Sequence, residues 1–332
     1  MDRMFKLIPL TVALGALSAP SFATEWANLD AEINNLNASL QTQSAGGPKL
    51  NGWIRSRFTD VSDADQQGFK FDSLRIEIQG DAGSDYGYKV SFDMTSGEAL
   101  LRDAFATFKL GDVVTGKMGQ FKTAFNRDSL TSDAKLLFLD RSNIGGNGLW
   151  NTRTLGLQFY GQYETLGWTA SAQNGDDGLG DEHKLSLRVH ADLMGKQAKN
   201  EGAYGAAEGT NLMVAAAWLD DGSFDDGDAL LAEVSLTMSN FAFAAEMVDL
   251  GADVGDGTPY DVLASYLFMP QWEGAIRYED RDDVANTTDI SAAVNYYVSG
   301  HDIKWTVQYD TFDSDDASLE LDALSLGLAV SF

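Results

Sequence analysis

The chain has no cysteine, five prolines and three histidines, and its 23 bases face 50 acids in 332 residues. Without thiols there is no disulfide framework, so backbone pairing and packing alone must hold the fold. No apolar run reaches the roughly 18 residues of a spanning helix; a closed β-barrel, with its weaker signal per segment, stays open. His183, His190 and His301 are scattered, and there is no Gly-x-Ser-x-Gly, phosphate loop or zinc spacing. Catalysis and cofactors therefore find no foothold. Asp221–Asp228 is not a calcium loop of the EF-hand type, because Asp226 stands where the sharp-turn glycine belongs. A formal net charge of −27 also argues against nucleic acid as a partner.

What is present begins with Arg3 and Lys6, an apolar run from Leu7 to Leu17, and Ser21-Phe22-Ala23. That pattern reads as a secretory signal peptide over 1–23, addressed to a bacterial envelope. In 24–43, Trp26, Leu29, Ile33, Leu36, Leu40 and Gln43 are spaced 3, 4, 3, 4, 3, a short coiled-coil-like helix. Two roles stand open for it: a coil between subunits or periplasmic tether, and a helix packed on its own barrel. Ser44-Ala45-Gly46-Gly47-Pro48 opens a linker over 44–51.

From 52 to 332 the apolar period is 2. Leu74, Ile76 and Ile78 oppose Ser73, Arg75 and Glu77; Ile303, Trp305, Val307 and Tyr309 oppose Lys304, Thr306 and Gln308. About sixteen such segments can be marked. Tight turns such as Gly111-Asp112, Gly161-Gln162 and Ser239-Asn240 alternate with longer, acidic connections. The exceptions are a short connection at 95–99 and a long turn-side link at 193–208. The last strand alternates Leu324, Leu326, Leu328, Val330 and Phe332 to the terminus. The fold class is all-β: a transmembrane antiparallel barrel of about sixteen strands, with long loops at one rim and tight turns at the other.

The stretch Lys117–Ser142 breaks the alternation and becomes polar and basic around an LLFL run. With Leu101-Arg102-Asp103-Ala104-Phe105, its Gly119-Gln120-Phe121-Lys122, Phe125, Leu130-Thr131-Ser132 and Phe138-Leu139-Asp140-Arg141-Ser142 resemble the outer-membrane porins of the phosphate-selective porin O/P family. The resemblance implies a usually trimeric barrel whose third long loop, here 122–151, folds inward and narrows the lumen. It also implies a channel lined with arginine and lysine in phosphate-specific members; the strongly acidic loops of this chain depart from that pattern.

Strand parity alone points Arg55, Arg57, Arg75, Lys89 and Lys109 inward, because a charge facing lipid costs a few kcal/mol near the midplane. Arg102 breaks parity and is assigned to the rim. Lys117, Lys122, Arg127, Lys135 and Arg141 join these as candidate pore-lining residues, with LLFL anchoring the loop on the inner wall. Of the 21 bases after Ala23, 14 lie within Lys49–Arg153, so they form one sector of the wall. Two readings follow for a porin passing small hydrophilic solutes. Either the basic sector selects anions, phosphate among them, or the interleaved Glu77, Asp93, Asp103, Asp128, Asp133 and Asp140 make it weakly selective. An alternative is a structural or adhesion barrel whose acidic loops bind divalent ions or lipopolysaccharide. Expected surroundings are outer-membrane lipids and lipopolysaccharide, and the expected assembly is a homotrimer.

Overall fold

The computed structural model describes residues 47–62, 66–177 and 181–332. The leader 1–23 and the 24–43 helix read from the sequence lie outside the described residues. Sixteen antiparallel strands close into one barrel, each paired with its sequence neighbours and the first with the last. They are β1 (Lys49–Val61), β2 (Gln66–Asp81), β3 (Tyr86–Asp93), β4 (Leu100–Leu110), β5 (Val114–Lys122), β6 (Arg153–Tyr163), β7 (Leu166–Asn174) and β8 (His183–Met194). Then come β9 (Thr210–Asp221), β10 (Asp228–Met238), β11 (Phe241–Leu250), β12 (Tyr260–Met269), β13 (Trp272–Asp280), β14 (Thr288–Ser299), β15 (Ile303–Asp313) and β16 (Leu321–Ser331).

The period-2 pattern explains the wall. In β8, Lys184, Ser186 and Arg188 are buried inside while Leu185, Leu187 and Val189 are exposed outside. Closure pairs every strand on both sides, as lipid demands of a spanning sheet. At the seam Trp53 faces Ser331 and Val61 faces Ala323. Gly52 and Phe332 exchange backbone hydrogen bonds at 3.0 and 2.9 Å, so the terminal residue is itself part of the closure.

Several strand boundaries differ from the sequence reading by a few residues, two of them notably. The first strand starts at Lys49, within the span read as linker. The β6–β7 turn falls at Glu164-Thr165 instead of Gly161-Gln162, with Glu164 at φ 51°. A two-residue hairpin loop selects such a left-handed residue.

The long connection 123–152, hereafter the inward loop, leaves the long-loop rim and packs inside the barrel. Its Leu137 and Phe138 bury against Ala244, Leu263 and Ala293 of the inner wall. Phe125, Ile144, Leu149 and Trp150 bury against Ala217, Leu219, Ala229, Leu231 and Val248. Alanine at so many inward positions of β9–β14 makes room for the loop. Each Leu or Phe so buried contributes roughly 1.5–3 kcal/mol relative to exposure. The hydrophobic core of this protein is therefore inside the lumen and off centre.

Two bulges adjust the opposite wall. The β1–β2 register shifts after Arg55, leaving Asp72 without a ladder partner. The β3–β4 register shifts between Val90 and Phe92, where Ala104 pairs with Val90 and Leu101 with Phe92. An extra residue in one strand breaks strict alternation, so Arg102 turns inward beside Asp103. In β5, Gly119 has φ +133°, and a Cβ there would lie 2.2 Å from the Ala104 carbonyl oxygen.

Candidate functional site: a basic neck beside the inward loop

An irregular backbone inside a barrel must find partners for its N–H and C=O groups. The wall supplies them by charge. Carboxylates take the loop's donors: Arg127 N–H donates to Glu233 at 3.0 Å, Asp128 N–H to Glu246 at 3.0 Å and Asn143 N–H to Glu279 at 2.7 Å. Bases take its acceptors: Arg55 donates to the Leu139 carbonyl at 2.5 Å, Arg188 to Phe125 at 2.5 Å, Lys184 to Leu149 at 2.6 Å and Arg277 to Asp140 at 3.1 Å. Lys304 holds the Leu136 carbonyl in the same way. Lys184, Arg188, Glu233, Glu246, Arg277, Glu279 and Lys304 are thus committed to fixing the loop.

A second segment enters from the short-turn rim. The 195–209 link folds into the lumen and buries Asn200, Glu201 and Ala203. The Arg127 guanidinium donates to the carbonyls of Asn200 and Glu201 at 2.7 and 3.0 Å, and Ala203 N–H donates to Glu273 at 2.6 Å. Tyr204 stacks on buried Tyr297 with centroids 3.8 Å apart, and the Tyr297 hydroxyl donates to Glu273 at 2.6 Å. Loop and link together fill the lumen against β9–β15.

Space remains along β1–β6. An upper cavity of about 320 Å³ and a lower one of about 480 Å³ share five lining residues: Arg75, Lys122, Arg141, Arg153 and Asp133. That common ring, four bases to one acid, is the neck between them. Arg75 contacts Asp93 at 3.2 Å and lies over the Trp53 ring at 5.1 Å. Arg153 contacts Asp103 at 3.3 Å, and Lys122 donates to the Ser129 carbonyl at 2.6 Å. Buried Nε atoms of Arg75 and Arg102 have no hydrogen-bond partner among the described residues.

The predicted site residues separate into groups. Arg55 and Arg57 line the upper cavity; Arg75, Lys122 and Arg141 form the neck; Lys89 and Lys117 line the lower cavity. Lys117 sits among Phe105, Phe121 and Tyr160, its Nζ 5.0, 5.0 and 5.5 Å from their centroids. Arg127 lines a third cavity of about 690 Å³ near the short-turn rim, which meets the lower one at Leu130, Thr131 and Lys199. Lys109 donates to the Ser84 carbonyl at the short-turn rim. Lys135 is exposed, and neither it nor Lys109 lines any of these cavities. Parity reasoning missed Arg102, which the bulge brings to within 3.5 Å of Asp93 in the upper cavity. It also missed Lys70, and Lys199 on the link.

The loop's own carboxylates are tuned by these bases. Burial would raise Asp133, but the charges of Arg141, Arg75, Arg55 and Lys122 outweigh it and hold the carboxyl well below its usual range. For Asp140, half exposed to the upper cavity, the cost of partial desolvation is likewise overcome, here by the hydrogen bonds and charge of Arg57. Both loop acids therefore stay ionised near neutral pH. Among the described residues no three His, Cys, Asp or Glu side chains gather as a metal site.

Residues 49–238 match the family model described as phosphate-selective porin O and P. No curated protein matches the chain. Among solved structures, a mutant porin of Rhodopseudomonas blastica aligns at 16% identity over 86% of this chain and 100% of its own, with a TM-score of 0.66. A triple mutant of that porin aligns at 15% identity over the same shares, with a TM-score of 0.63. At such identity these two show a common barrel fold, while the family match spans more than half of the sequence and includes β1–β5, the inward loop and most of the neck's surroundings. The chain belongs to the phosphate-selective porin O and P family.

Proposed function

We propose that this channel protein sits in the bacterial outer membrane, passes small hydrophilic solutes by diffusion, and prefers anions, with phosphate-bearing solutes among them. The observation that carries the reading is the neck: four bases and one acid lie between cavities of about 320 and 480 Å³. A basic passage with low-dielectric walls concentrates anions and raises the barrier to cations. Guanidinium groups line the neck and the upper cavity, and they match phosphate geometry.

The family and the fold are those of channels, not enzymes. Placement in the outer membrane is supported by the exposed outward residues Leu187, Trp218, Val294, Trp305 and Leu326. Export by residues 1–23, assembly as a homotrimer, and contact with lipopolysaccharide belong to the same proposal. The long-loop rim then faces outward and the 195–209 link faces the periplasm.

Recording from purified protein in planar bilayers tests the proposal. The expected result is stepwise conductance, a reversal potential on the anion side under a salt gradient, and reduction of chloride current by added phosphate. Cation selectivity would overturn the anion reading, and absence of any conductance would overturn the channel itself.

A further inference from the structure

We infer that Asp133 is a resident counter-anion of the neck and sets how tightly the channel holds a passing anion; the inference rests on the anion reading above. Asp133 is the one acid common to the linings of the two cavities, and it stands with four bases. It sits in the 3₁₀ turn Asp133–Lys135 of the inward loop, its carboxylate 2.5 Å from Arg141 Nη2 and 3.8 Å from Arg75 Nη2.

Neither guanidinium depends on Asp133 for its position. Arg141 is also held by the Asp128 carboxylate at 3.0 Å, the Thr131 carbonyl at 2.6 Å and the Asp128 carbonyl. Arg75 has Asp93 at 3.2 Å and its seat over Trp53. The Asp133 carboxylate therefore occupies a donor of Arg141 and lies beside Arg75, and both guanidinium groups would be in place without it. Carboxylate and phosphate oxygens compete for the same N–H groups. A tethered carboxylate there keeps that donor paired when the neck is empty and offsets one positive charge of the neck. Conduction requires binding strong enough to admit an ion and weak enough to release it. Without Asp133 the neck bases would keep only Asp93, Asp103 and Asp128 as acidic partners, which favours the first at the expense of the second; Asp133 restores release.

The test compares wild type, Asp133→Asn and Asp133→Glu in planar bilayers, with chloride-over-potassium permeability from reversal potentials and inorganic phosphate titrated as a blocker. In Asp133→Asn the permeability ratio should rise severalfold, half-block should move to severalfold lower phosphate, and Asp133→Glu should restore both towards wild type. Should the Asn variant fail to assemble, Asp133→Ser provides the same loss of charge. Unchanged ratio and half-block in the neutral variant, or a Glu variant that behaves like it, would overturn the assignment. Failure of the anion reading itself would appear earlier, as cation preference in the wild-type channel.

Discussion

The Glu201 carboxylate accepts the backbone N–H of Leu137 at 2.5 Å, joining a link that enters the lumen from one rim to a loop that enters from the other. Removing that acceptor in Glu201→Ala orphans a buried N–H, at about 1–3 kcal/mol. The expected outcome is a lower melting temperature and a noisier open-channel current, as the LLFL segment loses its tie. Glu201→Gln keeps an oxygen for Leu137 and should record quietly.

The same residue gives a pH dependence. Burial, reinforced by the charge of Asp128, raises Glu201 above the ordinary glutamate value of 4.5 despite the Leu137 hydrogen bond. The folded protein then holds this proton more tightly than the unfolded chain. Its stabilising share is complete below about pH 4.5 and is lost as pH rises through the raised value. Melting curves across that window should fall more steeply for wild type than for Glu201→Gln. Equal slopes would refute this.

Arg57 donates to both Asp140 oxygens, at 2.5 and 2.7 Å, and its Nε lies 2.7 Å from Asp72. Lysine cannot reproduce that fork. Because Asp140 is half exposed, a double-mutant cycle of Arg57→Gln and Asp140→Asn should give a coupling on the order of 1 kcal/mol, shrinking in high salt. A coupling indifferent to salt would contradict the assignment.

Lys199 projects from the link to line both the lower and the third cavity, and its amine has no partner among the described residues. Lys199→Glu should lower the chloride-over-potassium permeability ratio, and Lys199→Gln by less. Melting should be unaffected in both, since no contact is lost. An unchanged reversal potential in Lys199→Glu would place this residue outside the ion path.

Gly119 cannot be replaced cheaply. Its φ of +133° is a conformation that L side chains rarely adopt, and a Cβ would also lie 2.7 Å from Phe105 Cα. Gly119→Val should cost at least about 1–3 kcal/mol from the backbone alone, before the overlap is counted. Semi-native gels should show less folded barrel; a fully folded variant would refute the strain.

The wall was legible in the sequence because its strands repeat a period-2 alternation that turns the large apolar side chains outward. Lys184, Arg188 and Lys304 could be placed by parity alone. Arg102 could not, because a bulge is an extra residue whose signature is a broken alternation, indistinguishable in sequence from a rim position. The inward loop was recognisable by its length and by the Phe138–Ser142 motif. Its attachments were not: Glu233, Glu246 and Glu279 read as further acids in an acidic chain, and nothing local shows that each receives a loop N–H from more than a hundred residues away. The 195–209 link betrayed itself only as an exception to short turns. Lys109 obeys parity but sits too near the rim to reach a cavity, which a period-2 pattern cannot reveal because it carries no depth.

The alanines that seat the inward loop on β9–β14 separate the bore from the girth. Neck and upper cavity are bounded by strands β1–β6 and the loop, so adding circumference on the far side would enlarge the scaffold and leave the aperture as it is. Conversely, bulkier residues at Ala217, Ala244 or Ala293 would push the loop towards β1–β6 and narrow a passage they never touch. In this protein the width of the passage is governed from the wall opposite it.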